Sequence, residues 1–571
     1  MTIDDTLRAE VEAWMAEDPD EDTRAELEAL LEAGDEAELR DRFRGMLSFG
    51  TAGLRGLLGG GPNRMNRAVV LRATAGFCAH LKASVPDAAE RGVVIGFDGR
   101  RKSRVLANDA ASVIAGMGLK ALVFEEVAPT PLVAFALLDQ KAAGALVITA
   151  SHNPPDYNGY KVFWENGAQI IPPHDAAIAE AIGAVESLAS IPRSDARTVL
   201  GDDVADRYLA GVKALAQHPE SPRDLTIAHT ALHGVGAPYV RRALADAGFE
   251  AVHEVASQRE PDGTFPTVAF PNPEEKGAMD AVGALAKEVG ADLVLANDPD
   301  ADRLAVEVLH EGAYVRLTGN EIGCLLAAYL LEEGSGANRL VVESVVSSPM
   351  LLSIAKGHGI RAEQTLTGHK WIQNRALELE AEGLELVFGY EEALGYACGT
   401  LVRDKDGISA AAVMADLAAH CRARGKTVID YREEAWRRYG LYLSDQVSLV
   451  LPGTEGAAQI QALMVRARKE PPTTLGGLAV TAVQDFETRT RTLADGSTEP
   501  LTFPAANVVV FEVEGGHRAM LRPSGTEPKL KMYFDVRVDV ADGEAIAAAQ
   551  ARGNDTLAGI VGDFREQLGA S

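Results

Sequence analysis

The chain has 571 residues, 47% apolar and 24% charged, a balance that describes a folded globular protein and excludes a disordered or fibrous one. Its 83 acidic and 55 basic residues leave a formal net charge of -28, which argues against nucleic acid as a partner, because that needs a field of the opposite sign. At ~100–200 residues per domain the length calls for several domains rather than one core.

The N-terminal stretch MTIDDTLRAEVEAW is acidic and amphipathic, the reverse of a secretory signal. No run reaches the ~18 consecutive apolar residues that a membrane span requires. Cys78, Cys324, Cys398 and Cys421 lie far apart with no CxxC pairing, so neither a disulfide framework nor a zinc site is expected. A cytoplasmic protein without membrane or nucleic-acid partners is the expectation, either a monomer or a homodimer.

Residues 3–45 carry apolar positions at helical spacing and form a helical lead-in. Strands then alternate with helices. RGVVIGFD and KALVFEEV flank a helix through LANDAASVIAGMG, and the strand GALVITA follows. DLTIAHTAL, the helix APYVRRALADAG, FEAVHEV and ADLVLAND form a second set. A third comprises the helix EIGCLLAAYLLEEG, the strand RLVVESVV, the helix SPMLLSIAKGHG and the strand LELVFGYEEALGY. Continuous Val/Ile/Leu strands between amphipathic helices predict mixed, mainly parallel sheets covered on both faces. After residue 440 the strands YLSDQVSLVL, LAVTAVQDF, NVVVFEVEG and KMYFDVRVD alternate more, which predicts an antiparallel α+β domain. The expected fold class is thus α/β, with domains at 1–205, 206–315 and 316–440 and an α+β domain at 441–571.

Ligands of such sheets bind beyond the carboxyl ends of the strands, and four loops there carry chemistry. In TASHNPPDYNGYK, Ser151 follows the strand GALVI as a candidate phosphoryl acceptor, with His152 and Lys161 as candidates for charge or proton transfer. A lone Ser–His would read as a capped surface turn; the other three loops shift the balance. NDPDADR sets Asp298, Asp300 and Asp302 at alternate positions after ADLVLA, an all-oxygen set suited to a hard cation such as Mg²⁺. An EF-hand is excluded, since Arg303 and Leu309 stand where its Gly and Glu belong. GYEEALGY offers Glu391 and Glu392 to sugar hydroxyls, and TGHKW upstream adds Gly368, His369 and Lys370 as weaker candidate contacts. RPSGTEPKLK gathers Arg522, Ser524, Gly525, Thr526, Lys529 and Lys531, donors suited to a phosphate. Arg55 in FGTAGLRG, and Asp98, Arg100 and Arg101 in GFDGRRKS, add charge at further turns.

Together, in this order and spacing, the four loops resemble the signature loops of the α-D-phosphohexomutases, over residues 48 to the C-terminus. GTAGLRG and the helical N-terminus are most similar to the longer phosphoglucomutase and phosphopentomutase branch. The resemblance implies four domains around one central cleft, each contributing one loop. It implies Ser151 as the phosphoserine, and Mg²⁺ held by Asp298, Asp300 and Asp302 together with Ser151. Arg303 would support the metal loop and count among the substrate contacts. Glu391 and Glu392 would bind sugar hydroxyls, and Arg522, Ser524, Gly525, Thr526 and Lys531 the non-reacting phosphate. Arg55, His152 and Lys161 would lie near the transferred phosphate, with Lys161 in acid–base work. Many members carry Ser where this chain has Ala393, which leaves the choice of sugar open. The implied activity interconverts hexose 1-phosphate and 6-phosphate, glucose first and mannose or pentose phosphates as alternatives, primed by glucose 1,6-bisphosphate. A sugar phosphatase and a non-catalytic binding relative are the readings from other classes.

Overall fold

Asp4, Asp20 and Asp35 each accept a backbone N–H at the start of the first three helices, Asp5–Glu17, Glu21–Ala33 and Glu36–Arg42. Such caps contribute about 1 kcal/mol each. Ile3, Leu7, Val11, Leu27 and Leu39 close a small core between these helices, so the lead-in is a helical layer with its own apolar centre.

The computed structural model describes residues 3–50, 53–451, 453–523 and 529–569. These fall into two compact units, Met1–Leu317 with Ala393–Gly425, and Thr318–Glu392 with Lys426–Ser571. Among the described residues no helix is long and apolar enough to cross a membrane, and all four cysteines are free and buried.

The first unit holds two mixed sheets. One runs in the order Leu54–Leu57, Tyr157–Trp164, Gly144–Ile148, Val93–Phe97, Ala121–Val123, Thr198–Val199. Its four strands from Gly144–Ile148 onward are parallel neighbours, and the first two strands are antiparallel. Gly144–Ile148 is buried at every position, as a strand covered on both faces must be. The expected strand KALVFEEV shortens to Ala121–Val123, and Tyr157–Trp164, expected as part of a turn, is a strand. The second sheet runs Ala313–Arg316, Ala305–His310, Leu293–Ala296, Ile227–Thr230, Val252–Glu254, with the last three parallel. Helix Gly407–Ala423, buried almost all round, packs on helix Ala237–Asp246 of this unit.

In the second unit Arg361–Thr365, Arg339–Ser344 and Glu385–Glu391 are parallel neighbours. Capping boxes Thr318–Glu321 and Thr427–Asp430 begin helices Gly319–Glu332 and Val428–Tyr439. The C-terminal sheet is antiparallel, in the order Leu441–Val450, Lys529–Val538, His517–Pro523, Val509–Val513, Leu478–Asp485, Thr490–Leu493, Thr498–Pro500. Helix Ile546–Leu568 lies on it, with Phe564 edge-on to Phe511 and Phe534 at 5.4 Å each. The expected single strand LELVFGYEEALGY is two strands, Glu385–Glu391 and Gly395–Cys398, with Glu392 in the turn between them.

Candidate active site

Strand Gly144–Ile148 delivers the chain into the turn that carries Ser151, which is 3% exposed and left-handed at φ 52°. A non-glycine residue there costs about 1–3 kcal/mol and persists only where its surroundings fix it. Ser151 Oγ donates to Asp298 Oδ2 at 2.8 Å and lies 3.1 Å from His152 Nδ1. The three aspartates follow strand Leu293–Ala296 and are fully buried, with one carboxylate oxygen of each within 4.8 Å of the others. Ala301, between Asp300 and Asp302, is left-handed as well, at φ 58°.

Lys161 was expected on a loop. It stands inside strand Tyr157–Trp164, opposite Val147, where the sheet buries it. Its Nζ donates to Asp300 Oδ2 at 2.6 Å and Asp302 Oδ2 at 2.8 Å. Lys405 adds a second ammonium, 3.1 Å from Asp302 Oδ2, and Thr130 Oγ1 donates to Asp300 Oδ2 at 2.6 Å. Sequence reasoning missed Thr130 and Lys405; the polar run RDKDG before the buried helix Gly407–Ala423 was the one signal for Lys405.

Burial, reinforced by Asp302 and Asp300, pushes the Asp298 carboxyl well above the ordinary carboxylate range. Burial raises Asp302 too, but Lys161, Lys405 and Arg303 outweigh it and hold that carboxylate far below its usual range. Asp300 is lowered as well, because Lys161 and Thr130 overcome burial and Asp302. Lys161 is driven down by burial but up further by Asp300 and Asp302, so it stays charged. His152 is depressed well below its usual value by burial and by Arg303 and Arg55, so its ring is neutral at pH 7. It can accept or relay a proton but does not supply fixed positive charge.

Even with both lysines in place, Asp300 Oδ1 and Asp302 Oδ1 are buried without a hydrogen-bond partner among the described residues. Buried carboxylate oxygens left unpaired are costly, and two of them in an all-oxygen cluster fit a hard divalent cation. Arg303 donates its backbone N–H to Asp298 Oδ1 at 3.0 Å and pairs with Glu274 at 3.3 Å. Arg55 extends from strand Leu54–Leu57 with its guanidinium donating to Asn153 Oδ1 at 3.0 Å, in the field of all three aspartates. The other two arginines behave differently. Arg100 is wrapped in backbone carbonyls and is no surface ligand, and Arg101 pairs with Asp156.

On the second unit Glu391 ends strand Glu385–Glu391 and is 7% exposed. Glu392 Oε2 accepts from Ser344 Oγ at 3.2 Å. Its carboxyl is raised by burial and by Glu391, against the pull of Arg522 and Lys531, so these four charges share one neighbourhood. Arg522 reaches Tyr533 Oη at 3.3 Å. Gly368, at φ 115°, turns the chain into helix His369–Ala381, where a side chain would be strained. Trp371, just inside that helix, packs against the cluster of Val345, Phe486 and Tyr533, which anchors the stretch carrying His369 and Lys370. Ser524, Gly525 and Thr526 lie outside the described residues.

Three family models match along the chain: phosphoglucomutase/phosphomannomutase alpha/beta/alpha domain I over residues 46–189, domain II over 206–311 and domain III over 318–439. The chain belongs to the α-D-phosphohexomutase family. It is 41% identical to a Haemophilus influenzae protein named "Probable phosphomannomutase", over 85% of this chain and 96% of that one. It is 39% identical to a "Probable phosphoribomutase" of Schizosaccharomyces pombe, over 94% of each chain. A Staphylococcus epidermidis phosphoglucomutase is 37% identical over 88% of this chain and 93% of its own. In fold, the chain is similar to a phosphoglucomutase/phosphomannomutase family protein from Burkholderia thailandensis, with a TM-score of 0.66 and 20% identity over 91% of this chain and 97% of that one. The architecture is that of the family, three α/β domains followed by a sheet-rich C-terminal one, and the chain is an enzyme of the intramolecular phosphotransferase type.

Proposed function

We propose that this enzyme moves a phosphoryl group between the 1-position and the terminal hydroxyl of a sugar phosphate, using Ser151 as a covalent carrier, with glucose phosphate as its substrate. The contact of Ser151 Oγ with Asp298 Oδ2 at 2.8 Å carries this reading, because it joins the nucleophile to the acidic cluster in a buried site. The phosphorylated Ser151 meets the substrate's free hydroxyl; that oxygen forms a bond to phosphorus as the Ser151 Oγ–P bond breaks. The hydroxyl proton leaves to a nearby base, for which neutral His152 is suited. The bisphosphorylated sugar then presents its other phosphate; the Ser151 Oγ–P bond re-forms as the sugar O–P bond at that position breaks, the base returns the proton to the freed sugar oxygen, and the isomeric monophosphate is released. Added glucose 1,6-bisphosphate primes the cycle by the same steps.

Asp298, Asp300 and Asp302, with Ser151, would hold Mg²⁺, which when bound neutralises charge on the phosphoryl oxygens. Lys161 and Arg55 hold fixed positive charge beside the transferring group, and Arg303 steadies the aspartate loop. Glu391 and Glu392 would accept from sugar hydroxyls, with Gly368, His369 and Lys370 adjoining. Arg522 and Lys531, with Ser524, Gly525 and Thr526, would grip the phosphate that is not reacting. A pentose phosphate is the second reading, favoured by the relative named as a phosphoribomutase that matches 94% of this chain.

The test is a ³¹P-NMR time course with glucose 1-phosphate, Mg²⁺ and a trace of glucose 1,6-bisphosphate. Conversion to the 6-phosphate supports the proposal. Conversion of ribose 1-phosphate alone moves the assignment to pentoses, and accumulation of free phosphate instead would make the enzyme a phosphatase.

A further inference from the structure

Four backbone carbonyls of the Ser151 turn converge on one buried cation. Arg100 donates from one terminal nitrogen to Ser151 O at 2.6 Å and to Asn153 O, and from the other to Pro154 O at 2.9 Å and Tyr157 O at 3.2 Å. Its side chain and that of Asp98 are each 1% exposed, with Nε 3.3 Å from Asp98 Oδ2. The Phe265 ring, its centroid 4.8 Å from the guanidinium carbon, covers it. Carbonyl dipoles aimed at one point repel unless a cation sits there, and only a planar fork with five N–H groups can serve four acceptors at once.

Asp98 ties the other end of the same serine. Its Oδ1 accepts from Arg100 N at 3.0 Å and Ser103 Oγ at 2.7 Å, and its Oδ2 accepts from Thr149 Oγ1 at 2.7 Å. Thr149 Oγ1 in turn accepts from Ser151 N at 2.8 Å. Ser151 is therefore gripped by both its amide and its carbonyl, and both grips lead back to Asp98. Its φ of 52° is a conformation that an unrestrained serine leaves.

We infer that Asp98, Thr149 and Arg100 are positioning residues that clamp the Ser151 turn in its left-handed form, so that Oγ keeps one place whether it is free or phosphorylated. None of the three touches the reacting atoms; they act through the Ser151 backbone. The inference rests on Ser151 being the phosphoryl carrier. It separates this arginine from those that bind phosphate, because both terminal nitrogens are committed to carbonyls of the turn and Nε lies against the Asp98 carboxylate.

The test compares Thr149→Val, which keeps the shape and loses the hydroxyl, with Thr149→Ser, which keeps the hydroxyl. Turnover is measured at saturating sugar phosphate and bisphosphate, and amide exchange is followed by mass spectrometry in the peptide 149–158. Thr149→Val should lower kcat by about 10²-fold, the loss typical of a slightly misplaced group, with KM unchanged and faster exchange confined to that peptide. Thr149→Ser should recover most of the turnover. Unchanged kcat in Thr149→Val, or equal losses in both variants, would overturn the clamp. Arg100→Lys should behave like Thr149→Val if it folds; the threonine pair decides the matter if it does not. Failure of the unsubstituted enzyme to take phosphate onto Ser151 is a separate result, which would overturn the carrier reading and this inference with it.

Discussion

Arg522 and Lys531 stand directly opposite one another on the antiparallel strands His517–Pro523 and Lys529–Val538. Like charges in such a pair repel; Glu391 and Glu392 offset part of that charge, and a bound phosphate would offset more of it. Arg522→Met or Lys531→Met should raise KM for the sugar phosphate by roughly 10- to 100-fold, the worth of a charge-assisted hydrogen bond. Steady-state kinetics check this, and an unchanged KM would remove this pair from the proposed phosphate site.

Lys161 is the buried counter-charge of two carboxylates. Removing one partner of such a cluster leaves uncompensated buried charge and costs about 3–5 kcal/mol. Lys161→Met should therefore lower the urea midpoint of the first unit and reduce turnover together. A variant of normal stability would mean that the aspartates are compensated by other groups.

The residues around Ser151 and the aspartates were legible in the sequence to different degrees. The triad could be read because Asp298, Asp300 and Asp302 sit in one run behind an apolar strand, and Ser151 because its turn follows another. Lys161 was legible as a residue but not as part of a strand, because YNGYKVFW carries Asn and Gly at positions that the sheet buries. Thr130 was not legible, and Lys405 only as one charge in the polar run RDKDG, since their contacts with Asp300 and Asp302 join side chains remote along the chain. Helix Gly407–Ala423 escaped notice because a helix buried nearly all round shows no amphipathic stripe. Arg100 read as added charge at a turn after a strand; that its fork faces the Ser151 turn depends on how the carbonyls after Ser151 are directed, which residue types alone do not encode.

Glu343 gives the clearest dependence on pH. It is fully buried on strand Arg339–Ser344, accepts from Gln364 Nε2 at 2.8 Å, and has its other oxygen unpartnered among the described residues. Burial pushes its carboxyl from 4.5 up to about 8, against the pull of Arg518. The folded chain thus holds a proton that the unfolded chain has released, so stability from this group is present below pH 4.5 and lost as pH rises to about 8. The slope is about 1.4 kcal/mol per pH unit. Urea unfolding at several pH values should show Glu343→Gln gaining on the unsubstituted protein as pH rises, with the two closest at the acid end. A constant difference would refute the buried proton.

Metal removal should act on the first unit. Chelation with EDTA should abolish turnover and Mg²⁺ should restore it. At 100-fold excess over its dissociation constant, Mg²⁺ should stabilise that unit by about 2.7 kcal/mol, seen as a higher melting temperature. Asp300→Asn should lose most of that gain. An equal Mg²⁺ shift in this variant would place the ion elsewhere.

The central claim is that Ser151 carries the phosphoryl group. The most direct measurement incubates the enzyme with glucose 1,6-bisphosphate labelled with ³²P, quenches it and maps the labelled peptide by mass spectrometry. The account predicts one phosphate per chain on Ser151, chased off by unlabelled sugar monophosphate and absent from Ser151→Ala. Turnover without any label on Ser151, or full activity in Ser151→Ala, would contradict it.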